Sequence, residues 1–296
     1  MIATAAPTRD ARAITPAVLG ELAAGALRAE AVLTPKPGLV DQRGSGAHGD
    51  MDLAMFLRSA AVLRPWFTTL AHAAASTPGT SRAGLALRRE LGRIGRSAEA
   101  DMLTATGDIN THRGALFSLG FLVAGAARAM TTAPAAVALA AAELARLPDV
   151  AACQPRSHGD LVRDQCPGVG AAPHAAAGFP VTMRTALPAL RAARNRGATE
   201  TVARLDALLA AMAVLEDTCV LYRCGAAGLE LIQRGAAAVL TAGGAGTALG
   251  RRRLLRLDGR CRTHGLSPGG AADILATALF LDHLDRYGQR EHSCRP

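Results

Sequence analysis

Apolar residues recur every three to four positions along most of this chain, and the pattern breaks at a few short polar stretches. Leu19, Leu22, Ala23, Ala26 and Leu27 form one stripe, the spacing of an amphipathic helix. Thr15-Pro16 ahead of it is an N-cap and first-turn pair, and Pro35 requires that helix to have ended. A second helix, capped by Asp50 or Asp52, runs through Met55, Phe56, Ser59 and Val62 towards Leu70. Residues 76–81 read as a turn. Leu87, Leu91, Ile94, Ala98 and Met102 predict a long helix over about 81–103. Residues 115–130 read as a buried helix whose Ala and Gly permit close packing, and an Ala-rich helix follows over 134–147. Period is lost over 148–180, a long loop of the functional or mobile kind. Helices resume over about 181–195, 199–216, 226–240 and 247–263, and a last one opens at SPGGAAD (267–273) and runs to about 287. No strand alternation and no repeat is present. The pattern predicts an all-α fold, a single-domain multi-helix bundle over residues 15–290 with polar loops at helix ends. Residues 1–14 are expected to be disordered.

Composition narrows this. Half of the residues are hydrophobic but only 3% are aromatic. The core must therefore be Ala, Leu and Val, which favours closely packed helices over a sandwich. The net charge of +9 suits anionic partners. The arginines are spread among Leu and Ala with no basic-aromatic block, so a small polyphosphate is expected rather than nucleic acid. The six cysteines include no CxxC pair and suggest no zinc site. Cys219 and Cys224 read as buried thiols. The N-terminal residues lack the apolar core of a signal peptide. The longest apolar run, 114–127, is too short to span a bilayer. The expectation is a cytoplasmic protein with reduced thiols and no membrane partner.

Four polar knots interrupt the periodicity. The first, TPKPGLVDQRGSGAHGDMD (34–52), holds Asp41, His48, Asp50, Asp52 and Lys36, the only lysine of the chain. An ammonium is a compact point charge that suits phosphate or carboxylate, and the prolines on either side fix its backbone. The second holds Asp108, Asn110, Thr111, His112 and Arg113; the third Asp217, Tyr222 and Arg223; the fourth Ser267, Gly269, Gly270 and Asp273. SPGG at a helix start is either a phosphate cradle or an ordinary cap with Pro at N1. His48/Asp50 and His158/Asp160 are HxD pairs, which either hold a divalent metal or make loop hydrogen bonds.

These knots, in this order, resemble the triphosphoribosyl-dephospho-CoA synthase family. The carrying motifs are TPKPGLVD (34–41), GAHGDMD (46–52), TGDINTHRG (106–114), GFP (178–180), DTCVLYRCG (217–225) and SPGGAAD (267–273), spanning nearly the whole chain. The resemblance implies a pentosyltransferase. ATP is a substrate, its 5-triphosphoribosyl group moves to the 2′-hydroxyl of 3′-dephospho-CoA, and adenine leaves. The product would pass to a carrier-protein prosthetic-group transferase, for malonate decarboxylase in preference to citrate lyase. Such chemistry asks for a carboxylate base, fixed negative charge near an oxocarbenium-like centre, a donor for adenine, and cations or Mg²⁺ at the triphosphate. By motif position, Lys36 and Arg113 are expected at phosphate. Asp41, Asp50 and Asp52 are expected as base or ligands, with Asp50 and Asp52 the metal pair. His48 and His112 are expected as proton donors or ligands. Asn110, Asp217 and Arg223 are expected to bind ribose or phosphate, and Ser267, Gly269 and Gly270 to cradle phosphate with Asp273 nearby.

The chain departs from the family pattern at several places. Asp108 stands where Gly is common. Ala171-Ala172-Pro173-His174 has lost an Arg and acidic residues. Cys219, Tyr222 and Cys224 replace Asn, His and Gly. Two other readings fit the same knots: a metal-dependent hydrolase of a nucleotide or ADP-ribose-like substrate, and a non-catalytic nucleotide-binding relative.

Overall fold

A computed structural model describes residues 14–77, 81–149, 162, 164, 166 and 168–293. Among them the chain forms eleven α-helices and no strand. In order these are α1 (Pro16–Ala31), α2 (Leu53–Ala75), α3 (Ser81–Thr106), α4 (Arg113–Ala129), α5 (Pro134–Ala145) and α6 (Ala171–Ala176). A short π-helical turn (Thr182–Ala186) leads into α7 (Leu187–Asn195). Then come α8 (Glu200–Met212), α9 (Thr218–Thr241), α10 (Ala248–Thr263) and α11 (Gly269–Ser293).

The starts follow local chemistry. Thr15, Asp52, Thr199 and Thr247 accept hydrogen bonds from the N–H of Val18, Met55, Val202 and Gly250, satisfying donors that a helix N-terminus leaves unpaired. Some helices differ from the periodicity. Helix α3 runs three residues further, and α8 stops at Met212. Of residues 217–225, expected as a separate knot, Asp217 is the N-cap and the rest form the first turns of α9, which kinks at Gly225 (φ 62, ψ −164). Within the expected loop, residues 171–176 are helical, while His158 and Asp160 lie outside the described residues.

Helix α11 packs against α1, α4, α8 and α9, and α2 lies across α1, α3 and α4. Leu19, Leu63, Phe67, Leu119, Leu122, Leu208 and Phe280 are fully buried in one continuous core. Small residues set the closeness. A Cβ at Gly125 would meet the Val137 oxygen at 2.7 Å, and one at Gly20 would meet Thr68 Oγ1 at 2.1 Å. The low aromatic content is thus offset by short interhelical distances. Among the described residues no single helix is long and apolar enough to cross a membrane; α4 and α5 together are, but they bend by 109°.

Candidate active site

The loop after α1 is fixed from several sides. Lys36 is 1% exposed, and its ammonium donates to Glu30 Oε1 at 2.6 Å and to the Glu30 carbonyl at 2.8 Å. Asp41 accepts from the Lys36 N–H at 2.9 Å and from the Arg43 guanidinium at 2.7 Å. Arg43 in turn reaches Asp258 of α10 at 2.9 Å. Burial pushes the Asp41 carboxyl up, but hydrogen bonds from Arg43 and the backbone outweigh it and the net shift is downward. Gly38 (φ 68) lies so close that a Cβ would meet the Leu266 oxygen at 2.1 Å. The loop therefore bridges α1 to the turn before α11.

The second knot opens α4. Asn110 Oδ1 accepts from the Arg113 N–H at 3.0 Å. This supplies the cap that His112, at the N-cap position, does not make. The His112 ring is thereby left to point inward. It is 3% exposed, stands edge-on to Phe56, and has Nδ1 2.7 Å from Ser59 Oγ. Its Nε2 is buried without a partner. Burial, helped by the Lys36 charge, brings its pKa down to about 3. Arg113 pairs with Glu99. Asp108 takes the left-handed conformation (φ 63), which favours glycine and tolerates Asp.

Two helix starts complete the site. Asp217 caps α9, with Oδ1 accepting from the Cys219 N–H at 2.9 Å and Oδ2 from the Ala271 N–H at 2.9 Å. It thus ties α9 to the first turn of α11. Burial raises its pKa, and these backbone bonds oppose the rise. Asp273 is pushed well above the usual carboxylate range by burial and by the charges of Asp217 and Glu30. Gly114 lets it approach, since a Cβ there would lie 2.1 Å from Asp273 Oδ2. A Cβ at Gly270 would sit 3.0 Å from the Asp217 carboxylate. His48 Nε2 lies 2.7 Å from Ser267 Oγ, and its Nδ1 faces Arg223 at 3.4 Å and Asp50 at 3.8 Å. Burial and then Arg223 lower the His48 pKa, with Asp50 opposing.

These groups enclose one cavity of about 710 Å³. The fold brings twelve of the sequence-expected residues to its wall: Lys36, His48, Asp50, Asn110, His112, Arg113, Asp217, Arg223, Ser267, Gly269, Gly270 and Asp273. Asp41 and Asp52 are not among its lining residues; the first fixes the loop and the second caps α2 with 2.7 Å to the Met55 N–H. Cys224 is half-buried, not fully buried as expected. Cys219 is exposed where it lines the cavity, yet the protein around it and the charges of Asp217 and Asp273 push its thiol well above the usual range, so it is not a ready nucleophile. Ala172 and His174, the altered segment, also line it. His174 Nε2 accepts from the Val181 N–H at 3.1 Å and is kept neutral by burial, with a pKa of about 4.

No cluster of three or more metal-ligating side chains occurs among the described residues. Asp50 is 60% exposed and Asp52 is committed to its helix. One rim carboxylate fits a Mg²⁺ carried largely by phosphate and water, not an ion caged by protein.

Sequence reasoning missed Glu30, Ser59 and Glu99. Glu30 continues the apolar stripe of α1 three residues after Leu27, and Ser59 sits on the inner face of α2. A polar residue on an apolar face was the signal available. Glu99 carried none, because its partner arrives from another helix.

Fold and site together define an all-helical bundle with one carboxylate-bearing cavity at its helix ends. Residues 16–292 match the profile of the ATP:dephospho-CoA triphosphoribosyl transferase family. The chain is 52% identical over 267 residues to the probable 2-(5″-triphosphoribosyl)-3′-dephosphocoenzyme-A synthase of Azotobacter vinelandii strain DJ, covering 90% of either chain. It is 49% identical over 267 residues to the 2-(5″-triphosphoribosyl)-3′-dephosphocoenzyme-A synthase of Klebsiella pneumoniae, covering 90% of this chain and 94% of that one. No solved structure matches it. The chain belongs to the ATP:dephospho-CoA triphosphoribosyl transferase family, whose members are enzymes that use ATP and dephospho-CoA as substrates.

Proposed function

We propose that this chain moves the 5-triphosphoribosyl group of ATP onto the 2′-hydroxyl of 3′-dephospho-CoA and releases adenine. The acceptor oxygen bonds to C1′ of the ATP ribose as the C1′–N9 bond breaks, and that electron pair leaves with adenine. The proton lost by the hydroxyl balances the one adenine gains. The observation that carries this reading is the convergence of all four knots on one cavity, with two carboxyls of raised pKa beside two helix N-termini.

Asp273 is assigned as the base for the 2′-hydroxyl, because its raised pKa moves it towards the working pH, where general bases are most effective. Asp217 is held by backbone N–H groups from two helices. It supplies fixed negative charge beside the sugar as positive charge develops there. Arg113 and Arg223 face the triphosphate, while the Gly269 N–H donates to the Ser267 carbonyl at 2.9 Å and the Gly270 N–H to the Asp217 carboxylate, so the start of α11 is not the phosphate cradle expected. Mg²⁺, when bound, would add charge at the Asp50 rim. A cavity of this size encloses one drug-sized ligand. The ATP ribose and adenine then lie inside, and the pantetheine arm of the acceptor emerges at the mouth.

The test is adenine release from ATP with and without 3′-dephospho-CoA, with the products weighed. Release that needs the acceptor and yields a triphosphoribosyl adduct is expected; release without it would mean hydrolysis, and binding without release a non-catalytic relative. We assign the product to the malonate decarboxylase carrier protein through a prosthetic-group transferase, in the cytoplasm. The family resemblance supports a carrier-protein destination without choosing between the two carriers, and comparing the charging of malonate decarboxylase and citrate lyase carriers decides it.

A further inference from the structure

We propose that Ser59 is a positioning residue: its hydroxyl holds His112 in the tautomer protonated on Nε2, and that N–H donates to a ring nitrogen of the departing purine. Ser59 is fully buried in the middle of α2. Its oxygen lies 2.7 Å from His112 Nδ1 and 2.8 Å from Thr111 Oγ1, which donates to it. A hydroxyl has one proton. Thr111 donates to the Ser59 oxygen, and among the described residues Nδ1 is the only other partner of that hydroxyl, so the Ser59 proton goes to Nδ1 and the proton of the neutral ring sits on Nε2.

The ring stays neutral because it is buried and faces the Lys36 charge. Its Nε2 is buried with no protein partner, while the ring forms part of the cavity wall. Buried donors are normally satisfied, so this one is kept for a ligand. The surroundings choose the ligand. Phe56 stands edge-on to the ring at 5.0 Å, and the Lys36 charge is already met by Glu30. A phosphate would draw a second proton onto the imidazole, which burial opposes. A neutral purine nitrogen takes the bond without moving a proton. As the C1′–N9 bond breaks, negative charge gathers on the purine, and the bond strengthens in the transition state. His112 thus donates a hydrogen bond and does not deliver a proton. The ligand half of this proposal rests on the transferase reading above; the tautomer half does not.

The test begins with ¹⁵N-histidine-labelled protein. The His112 ring should show a protonated Nε2 and a bare Nδ1, unchanged from pH 5 to pH 9. Ser59→Ala should give a mixed ring pattern and lower kcat about 100-fold with little change in KM for ATP, and Ser59→Thr should restore both. A deaza-ATP lacking the accepting nitrogen, at position 3 or 7, should slow the natural enzyme but not slow Ser59→Ala further. An Nδ1–H or doubly protonated ring in the natural protein would overturn the proposal. So would a Ser59→Ala protein with unchanged ring signals and rate. If Ser59→Ala does not fold, the natural protein's ring pattern and the deaza substrates decide alone. Absence of acceptor-dependent adenine release would sink the transferase reading while leaving the tautomer measurement intact.

Discussion

The ammonium of Lys36 lies 2.6 Å from Oε1 of Glu30, and both side chains are buried in the wall of the cavity. The only lysine of the chain therefore lines the cavity as half of a neutral pair, held by the last turn of α1. Removing one partner leaves an uncompensated buried charge. Lys36→Met should cost about 3–5 kcal/mol of stability, read as a lower urea midpoint. Glu30→Leu combined with Lys36→Met should recover most of that loss and none of the activity. A double variant that stays as unstable as the single one would mean the pair is not what fixes this loop.

Asp273 should show a trade of stability for function. Its folded pKa lies above the ordinary 3.8. The ionised form therefore costs folding free energy, a cost absent at low pH that grows as pH rises from 3.8 through the folded value. Asp273→Asn keeps an acceptor for the Ala115 N–H and removes this cost. The variant should unfold at higher urea than the natural protein at pH 7, with the difference vanishing towards pH 3.8. Its adenine release should fall by about 10²–10⁴-fold. A less stable or fully active variant would remove Asp273 from the role of base.

Asp41 should behave in the opposite sense. Its folded pKa is below 3.8. Its contribution is complete above the ordinary value and disappears as pH falls through the lower folded one. Asp41→Asn should lower the urea midpoint at pH 7, lose that difference in acid, and change kcat less than about tenfold, since the residue only fixes the loop. A collapse of kcat in a stable Asp41→Asn protein would return Asp41 to the chemistry.

His48 reports the charges at the cavity rim. Burial and Arg223 lower its pKa, and Asp50 raises it. In an NMR titration Arg223→Ala should move the His48 midpoint up and Asp50→Asn should move it down. Shifts of the other sign would mean that the three side chains do not meet as described.

Gly114 tests how closely α4 and α11 must approach. A Cβ there would lie 2.1 Å from Asp273 Oδ2. Gly114→Ala should cost about 1–3 kcal/mol, visible in the urea midpoint, and should lower kcat about 100-fold by displacing the base. Normal turnover would show that the carboxyl has room to move.

Much of the bundle was legible in the sequence. The stripe from Leu19 to Leu27, the Thr15-Pro16 start and the breaks at Pro35 and after Ala75 depend on neighbours three or four residues apart, so local spacing determined them. The polar knots were legible for a similar reason, since dense Gly, Pro and charge cannot continue an apolar stripe. What each polar group does was decided by tertiary structure. Asp41 and Asp50 look alike along the chain. Yet the first is committed to Arg43, which also meets Asp258 from more than two hundred residues away, while the second stands at the cavity rim. The raised carboxyls at 217 and 273 share that origin, because the burial of both, and at 273 the charges of Asp217 and Glu30, arrive only when α1, α9 and α11 meet. Sequence determined where the helices stop, through local backbone and side-chain preference. Only packing decided which stops share one cavity, because burial and electrostatics depend on distance in space.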